Sequence, residues 1–207
     1  MRAPTERIVK KNRYISPMEE IRILARNTRN EETLDDLAKK YSNDFDTCKY
    51  LINNGSLPES AKYVLACSEN IDVKRLLAQS GENILSTQTQ LRLVLCEDKI
   101  VKEHLARTTT KEEIKELLFK SNPENYANEK IRGYCLKRMH NMDLIERFIL
   151  TSTQDILDKY SDMILSNRHL SIRVLNFFVL INTNLTDKEK KLIQDHPCFD
   201  PRKIDLP

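Results

Sequence analysis

Residues 21–40, IRILARNTRNEETLDDLAKK, decide the fold: an apolar helix tail, a polar turn carrying a cap, and a second apolar helix follow one another directly. Asn30 ahead of Glu31 and Glu32 supplies a side-chain acceptor for the first free N–H groups of a helix and an acidic first turn that complements its dipole. Leu34, Leu37 and Ala38 then fall three and four residues apart, the spacing that puts side chains on one face of an α-helix. The stretch is a helix–turn–helix unit, too small to bury its own apolar face.

The chain repeats that unit. Taking the end of each first helix as the anchor, Leu24-Ala25-Arg26-Asn27 is followed by Leu51-Ile52-Asn53-Asn54, Leu77-Ala78-Gln79-Ser80, Leu105-Ala106-Arg107-Thr108, Leu136-Lys137-Arg138-Met139 and Leu165-Ser166-Asn167-Arg168, at spacings of 27, 26, 28, 31 and 29 residues. A second apolar helix follows each anchor, at 34–38, 61–67, 91–96, 114–119, 144–150 and 175–180. Further start signals mark the turns: Ser16 before Pro17, Pro58-Glu59 after Ser56, and Thr110 with Glu113 as a reciprocal capping box. Units of this kind are stable only when stacked on their neighbours, with atypical segments covering the ends.

Composition agrees with helices throughout. The 207 residues include only 3 Gly and 31% charged residues, a profile of helices with solvated faces, and the length suits one domain with a sizeable core. The net charge of +3 is the difference between 34 basic and 31 acidic side chains, so no overall polyelectrolyte character draws the chain to nucleic acid or membrane. Cys48, Cys67, Cys96, Cys135 and Cys198 are odd in number and contain no CxxC pair, and are read as reduced core residues. No apolar stretch reaches signal-peptide or membrane-spanning length, so a soluble cytoplasmic protein with no membrane contact is expected.

The organisation expected is a basic N-terminal arm (1–16), a helical-repeat array (17–184) and a C-terminal segment (185–207). The arm sets Arg2, Arg7, Lys10, Lys11 and Arg13 against Glu6 alone. The C-terminal segment opens on a second capping box, Thr186 with Glu189, and runs through a capping helix into a tail extended by Pro197 and Pro201.

The LARN and LART anchors, the polar turn and the LxxLA of Leu34–Ala38 resemble leucine-rich repeat variant units and, more broadly, HEAT-like helical repeats, over about residues 18–182. Those families commonly place Asn-Pro after the anchor, where this chain has Asn27-Thr28, Asn54-Gly55 and Ser80-Gly81. The resemblance implies a right-handed superhelix and no particular activity. The fold expected is therefore all-α, an α-solenoid of about six stacked helix pairs with a C-terminal capping helix.

For function, the candidate surface is the column two residues past each anchor: Arg26, Asn53, Gln79, Arg107, Arg138 and Asn167, with Arg22, Arg75, Arg132 and Arg173 as a flanking basic strip. In a stacked array such positions form a line suited to an extended partner. The competing reading is that cationic and amide side chains at helix C-termini satisfy the last carbonyls, each contributing about 0.3–1 kcal/mol.

No catalytic constellation accompanies the column. Asp35-Asp36, Glu112-Glu113 and Glu19-Glu20 are adjacent carboxylates that diverge around a helix, and His104, His140, His169 and His196 stand apart from one another in sequence without a metal-ligand set. Helical-repeat DNA glycosylases share this scale and basicity but rely on aromatic residues, Trp prominently, and this chain has none; Tyr134, Tyr160 and Phe177 are the available substitutes. The expectation is a non-enzymatic scaffold or adaptor holding a protein partner in a concave groove, with no cofactor, metal or small-molecule substrate. The alternative is a nucleic-acid-binding protein or regulator using the basic column.

Overall fold

The computed structural model describes residues 15–80, 85–121, 129–182, 184–204 and 206. All but Ile15 and Ser16 of the basic arm, Gly81 of the third turn, and Asp205 and Pro207 of the tail lie outside the described residues. Within them the chain is all-helical, with no strand. The helices are α1 (Pro17–Asn27), α2 (Glu31–Tyr41), α3 (Phe45–Ile52), α4 (Glu59–Ala66), α5 (Ile71–Gln79), α6 (Thr87–Val94) and α7 (Lys99–Thr108), then α8 (Glu112–Lys120), α9 (Glu129–Arg138), α10 (Met142–Thr151), α11 (Gln154–Leu165), α12 (Ile172–Ile181) and α13 (Asp187–Gln194).

Packing runs from each helix to the next but one. The odd helices stack in order from α1 to α13, and α2 on α4, α4 on α6, α6 on α8 and α10 on α12 form a second row. Between α8 and α10 the rings of Phe119 and Phe148 meet edge to face at 5.5 Å. The core lies between the rows. On the even side it is built from a buried pair in each helix: Leu37-Ala38, Leu65-Ala66, Leu93-Val94, Leu118-Phe119, Phe148-Ile149 and Phe178-Val179.

Local chemistry explains most boundaries. Ser16, Asn30, Asp44, Asn70, Ser86, Asp98, Asn141, Ser171 and Thr186 each accept a hydrogen bond from a first-turn N–H. The Thr186–Glu189 box is reciprocal, as its sequence predicts. Pro58-Glu59 does open α4, with Pro58 as an N-cap that offers no side-chain acceptor. One start signal is corrected: α8 begins after Lys111, so Thr110 and Glu113 form no box. At α8 the Lys111 N–H instead donates to the Thr109 hydroxyl, which the buried Gln90 side chain holds from the other side. The second helix of the third unit stops at Val94, leaving Leu95 as its C-cap.

The anchors lie at the C-terminal ends of the odd helices, but burial shifts their register. The buried leading residue is Ala25 in α1, Leu51 in α3, Leu77 in α5, Leu105 in α7, Cys135 in α9, Ile164 in α11 and Ile193 in α13. Leu24, expected in the core, is 45% exposed. No helix precedes α1 among the described residues to cover it. Counted from the true register, the spacings are 26, 26, 28, 30, 29 and 29 residues, and α13 falls into step with the other odd helices.

The cysteines are free, but only Cys48 and Cys135 are buried; Cys67 is exposed and Cys96 and Cys198 are half-buried. Burial pushes the thiols of Cys48 and Cys135 up to about 12, so both remain neutral and inert at neutral pH.

Candidate functional site: the C-terminal ends of the odd helices

An α-helix leaves its last carbonyls without partners, and at four of the six odd-helix junctions the next odd helix supplies one. At the third position past the buried leading residue stand Asn54, Arg138, Asn167 and His196. Asn54 Nδ2 donates to the carbonyls of Ala25 (2.8 Å), Thr28 (2.9 Å) and, at 3.3 Å, Arg26. Arg138 donates to the Arg107 carbonyl. Asn167 Nδ2 donates to Leu136 and Met139 carbonyls, both at 2.8 Å, and His196 Nε2 donates to the Asn167 carbonyl at 2.9 Å. The Cys198 N–H donates to the other ring nitrogen, Nδ1, so both sides of the His196 ring are used. This ladder ties helix end to helix end.

The proposed column is therefore not one line. In the corrected register Arg26 is one residue past the buried position, Asn53, Gln79 and Arg107 are two past it, and Arg138 and Asn167 are three past it and belong to the ladder. Asn167 is fully buried and cannot meet a partner. Arg26 is exposed, and Asn53 turns back on its own helix, donating to the Lys49 carbonyl at 2.9 Å. The structure brings together Gln79, Arg107 and Arg138. Arg107 donates to His104 Nδ1 at 2.9 Å, the other ring nitrogen lies 3.3 Å from the Gln79 amide, and Arg138 reaches the Arg107 carbonyl. Burial, followed by the adjacent Arg107 charge, holds the His104 pKa below its ordinary value, so that ring is neutral.

The flanking strip is used internally. Arg22 pairs with Asp46 at 3.0 Å and Asp44 at 3.7 Å. Arg75 forms a two-pronged pair with Asp98, and Arg173 pairs with Glu146 at 2.8 Å. Arg132 is buried, its guanidinium against the rings of both Phe119 (5.0 Å) and Phe148 (5.1 Å). Arg132 is thus corrected from a partner-binding to a buried structural residue, and Arg22 is engaged by carboxylates of its own chain. Tyr160 is buried against Phe148, and Tyr134 packs on the core, so neither presents a free stacking face. Gly133 serves a close approach of α9 to α11: a Cβ there would stand 3.3 Å from Met163 Cγ.

What the sequence reading missed lies beside Arg138. Lys137, Arg138, Arg168, His140 and His169, with Thr110, Ser166 and Lys115, line a pocket of 360 Å³ that contains no carboxylate. The rings of His140 and His169, taken from sequence as isolated, stand 3.9 Å apart between centroids, tilted by 56°. The signal was present: Thr110, His140 and His169 each fall five residues past a buried leading residue, so stacking brings them into line. Lys115 is spent beneath the pocket on the Arg138 carbonyl (2.8 Å) and Glu112 (3.2 Å).

A different surface lies on the even row. The residue directly after the buried pair is Leu95 on the α6 end, Leu150 on α10 and Leu180 on α12, exposed by 74%, 52% and 70%. Tyr63 on α4 and Leu117 on α8 are exposed nearby in their own helices.

Comparison with protein-family models, with curated proteins and with solved structures finds no match to this chain. Among the described residues no group of three or more His, Cys, Asp or Glu side chains could hold a metal ion, and no helix is long and apolar enough to cross a membrane.

Proposed function

We propose that the chain is a HEAT-like, right-handed α-solenoid of about six helix pairs, with α13 extending the odd row as a cap, and that it works in the cytoplasm as a non-enzymatic scaffold holding a protein segment along its even row. The next-but-one packing and the 26–30 residue register support the array. One observation carries the functional reading: the three most exposed leucines of the described chain, Leu95, Leu150 and Leu180, occupy the same register position on even helices.

Packed helices lie about 8–10 Å apart, and an extended chain advances about 3.3 Å per residue. A segment crossing the row therefore presents one apolar side chain to each unit if it carries one about every third residue. On α8 the leucine position is Lys120, paired with Glu116, and Leu117 takes its place one turn earlier. Each leucine fully covered by a partner contributes about 1.5–3 kcal/mol.

The test is affinity capture with the wild-type chain beside Leu150→Glu/Leu180→Glu, combined with light scattering at several concentrations. The reading expects a protein captured by the wild type and lost from the double variant, with both chains monomeric. Equal capture by the two chains overturns it. Concentration-dependent dimerisation abolished by the variant replaces the partner with a second copy of the chain.

A further inference from the structure

The junction of α9 and α11 has a chemistry of its own, separate from the leucine face. Of the side chains lining its pocket, Arg138 and Lys115 already serve helix carbonyls, and Ser166 donates its hydroxyl to the Asp162 carbonyl at 2.6 Å. The α9 carbonyls that would repel an anion are covered, because Asn167 donates to those of Leu136 and Met139. Glu112, on the α8 side, is taken by Lys115 and by the backbone N–H groups of His140 (2.7 Å) and Asn141 (2.9 Å).

Lys137 and Arg168 remain. Both are exposed, both line the pocket, and among the described residues neither is paired with a carboxylate. The adjacent, tilted rings of His140 and His169 add ring N–H donors, and Thr110 adds a hydroxyl. A planar guanidinium and an ammonium converging on one cavity match the oxygens of a tetrahedral anion.

The position of this charge selects the kind of anion. Among the described residues, Arg22, Arg75 and Arg173 are engaged by carboxylates and Arg132 is buried, so the flanking arginines do not form a strip of unpaired cations that a polymer backbone would follow. On the other side, the adjoining pocket shares Lys137, Ser166 and Arg168 but adds Asp195, which disfavours a second negative group there. We infer that the α9–α11 junction is a receptor for a single compact phosphate group of the phosphomonoester class, gripped by Lys137 and Arg168 against the His140–His169 pair.

The experiment titrates the full chain with inorganic phosphate, with O-phosphoserine and with a short oligothymidylate, following the imidazole signals of His140 and His169 by NMR. Saturable shifts with the first two probes are expected. Lys137→Gln/Arg168→Gln should weaken binding by about tenfold or more at unchanged melting temperature, since two charge-assisted contacts are lost. Arg92→Gln, an exposed cation on α6, should leave it unchanged. Absence of saturable phosphate binding, or equal binding by the double variant, overturns the site. Oligothymidylate binding that falls steeply with salt, without a response to O-phosphoserine, overturns the ligand class and points to a nucleic-acid backbone.

Discussion

The α1–α3 junction and the α9–α11 junction use the same device in different surroundings. At the first, Asn54 is half-buried and holds the α1 carbonyls beside an exposed Leu24; at the second, Asn167 is fully buried and holds the α9 carbonyls beneath a basic pocket. An asparagine at this register position takes the same structural role in both, and the residues around it decide whether the junction also offers a surface. Arginine follows the same division. Arg22 near the first junction pairs with surface carboxylates, while Arg132 near the second is buried against two aromatic rings.

The comparison breaks most visibly at the two asparagines. Asn167→Ala leaves buried carbonyls unpaired and should cost about 3 kcal/mol in chemical denaturation, whereas Asn54→Ala, where water can reach, should cost about 1 kcal/mol. Equal losses would mean that the two junctions do not differ in burial as described. Next come the arginines. Arg132→Ala should cost about 2 kcal/mol, from lost ring contacts and packing, and Arg22→Ala less than about 1 kcal/mol, as for an exposed ion pair.

Acid should then act on the first junction through its helix cap. The Thr47 side chain beside Asp44, with further help from the Thr47 N–H and Arg22, holds the Asp44 carboxyl below its ordinary value, although partial burial opposes this. Since the folded pKa is depressed, this stabilisation is present above the unfolded value of about 3.9 and is lost as pH falls through the lower folded value. The matching cap of α10, Asn141, does not titrate. Hydrogen exchange should therefore show the first turn of α3 losing protection as pH falls below about 4, and Asp44→Asn should remove that pH dependence. The smallest effect is expected from Arg26→Ala, within about 0.5 kcal/mol of wild type because the side chain is exposed.

The sequence made the helices legible because their signals are local: caps such as Asn30 and Thr186 and apolar spacing such as Leu34, Leu37 and Ala38 act within one or two turns. The register was less so. Leucine looks like the natural anchor, but the buried leading position is filled by Ala25, Cys135 and Ile164 in α1, α9 and α11, and a one-residue error rotates a helix by about 100°. That rotation turned ladder residues such as Asn167 into apparent surface residues. The exposed leucines were hidden for a related reason: Leu150 and Leu180 continue apolar runs, and only packing shows which member of a run faces outward. The pairing of His140 with His169 was written as an equal offset in successive units, four residues past the anchors Leu136 and Leu165; the true register adds Thr110 to the same line.

The central claim, that the even row holds a protein segment, is tested most directly by a photo-crosslinking residue placed at Phe177, half-buried on the helix that carries Leu180. The account predicts a discrete protein adduct that disappears in Leu150→Glu/Leu180→Glu. An adduct of unchanged yield in that variant, or none in the wild type, would contradict it.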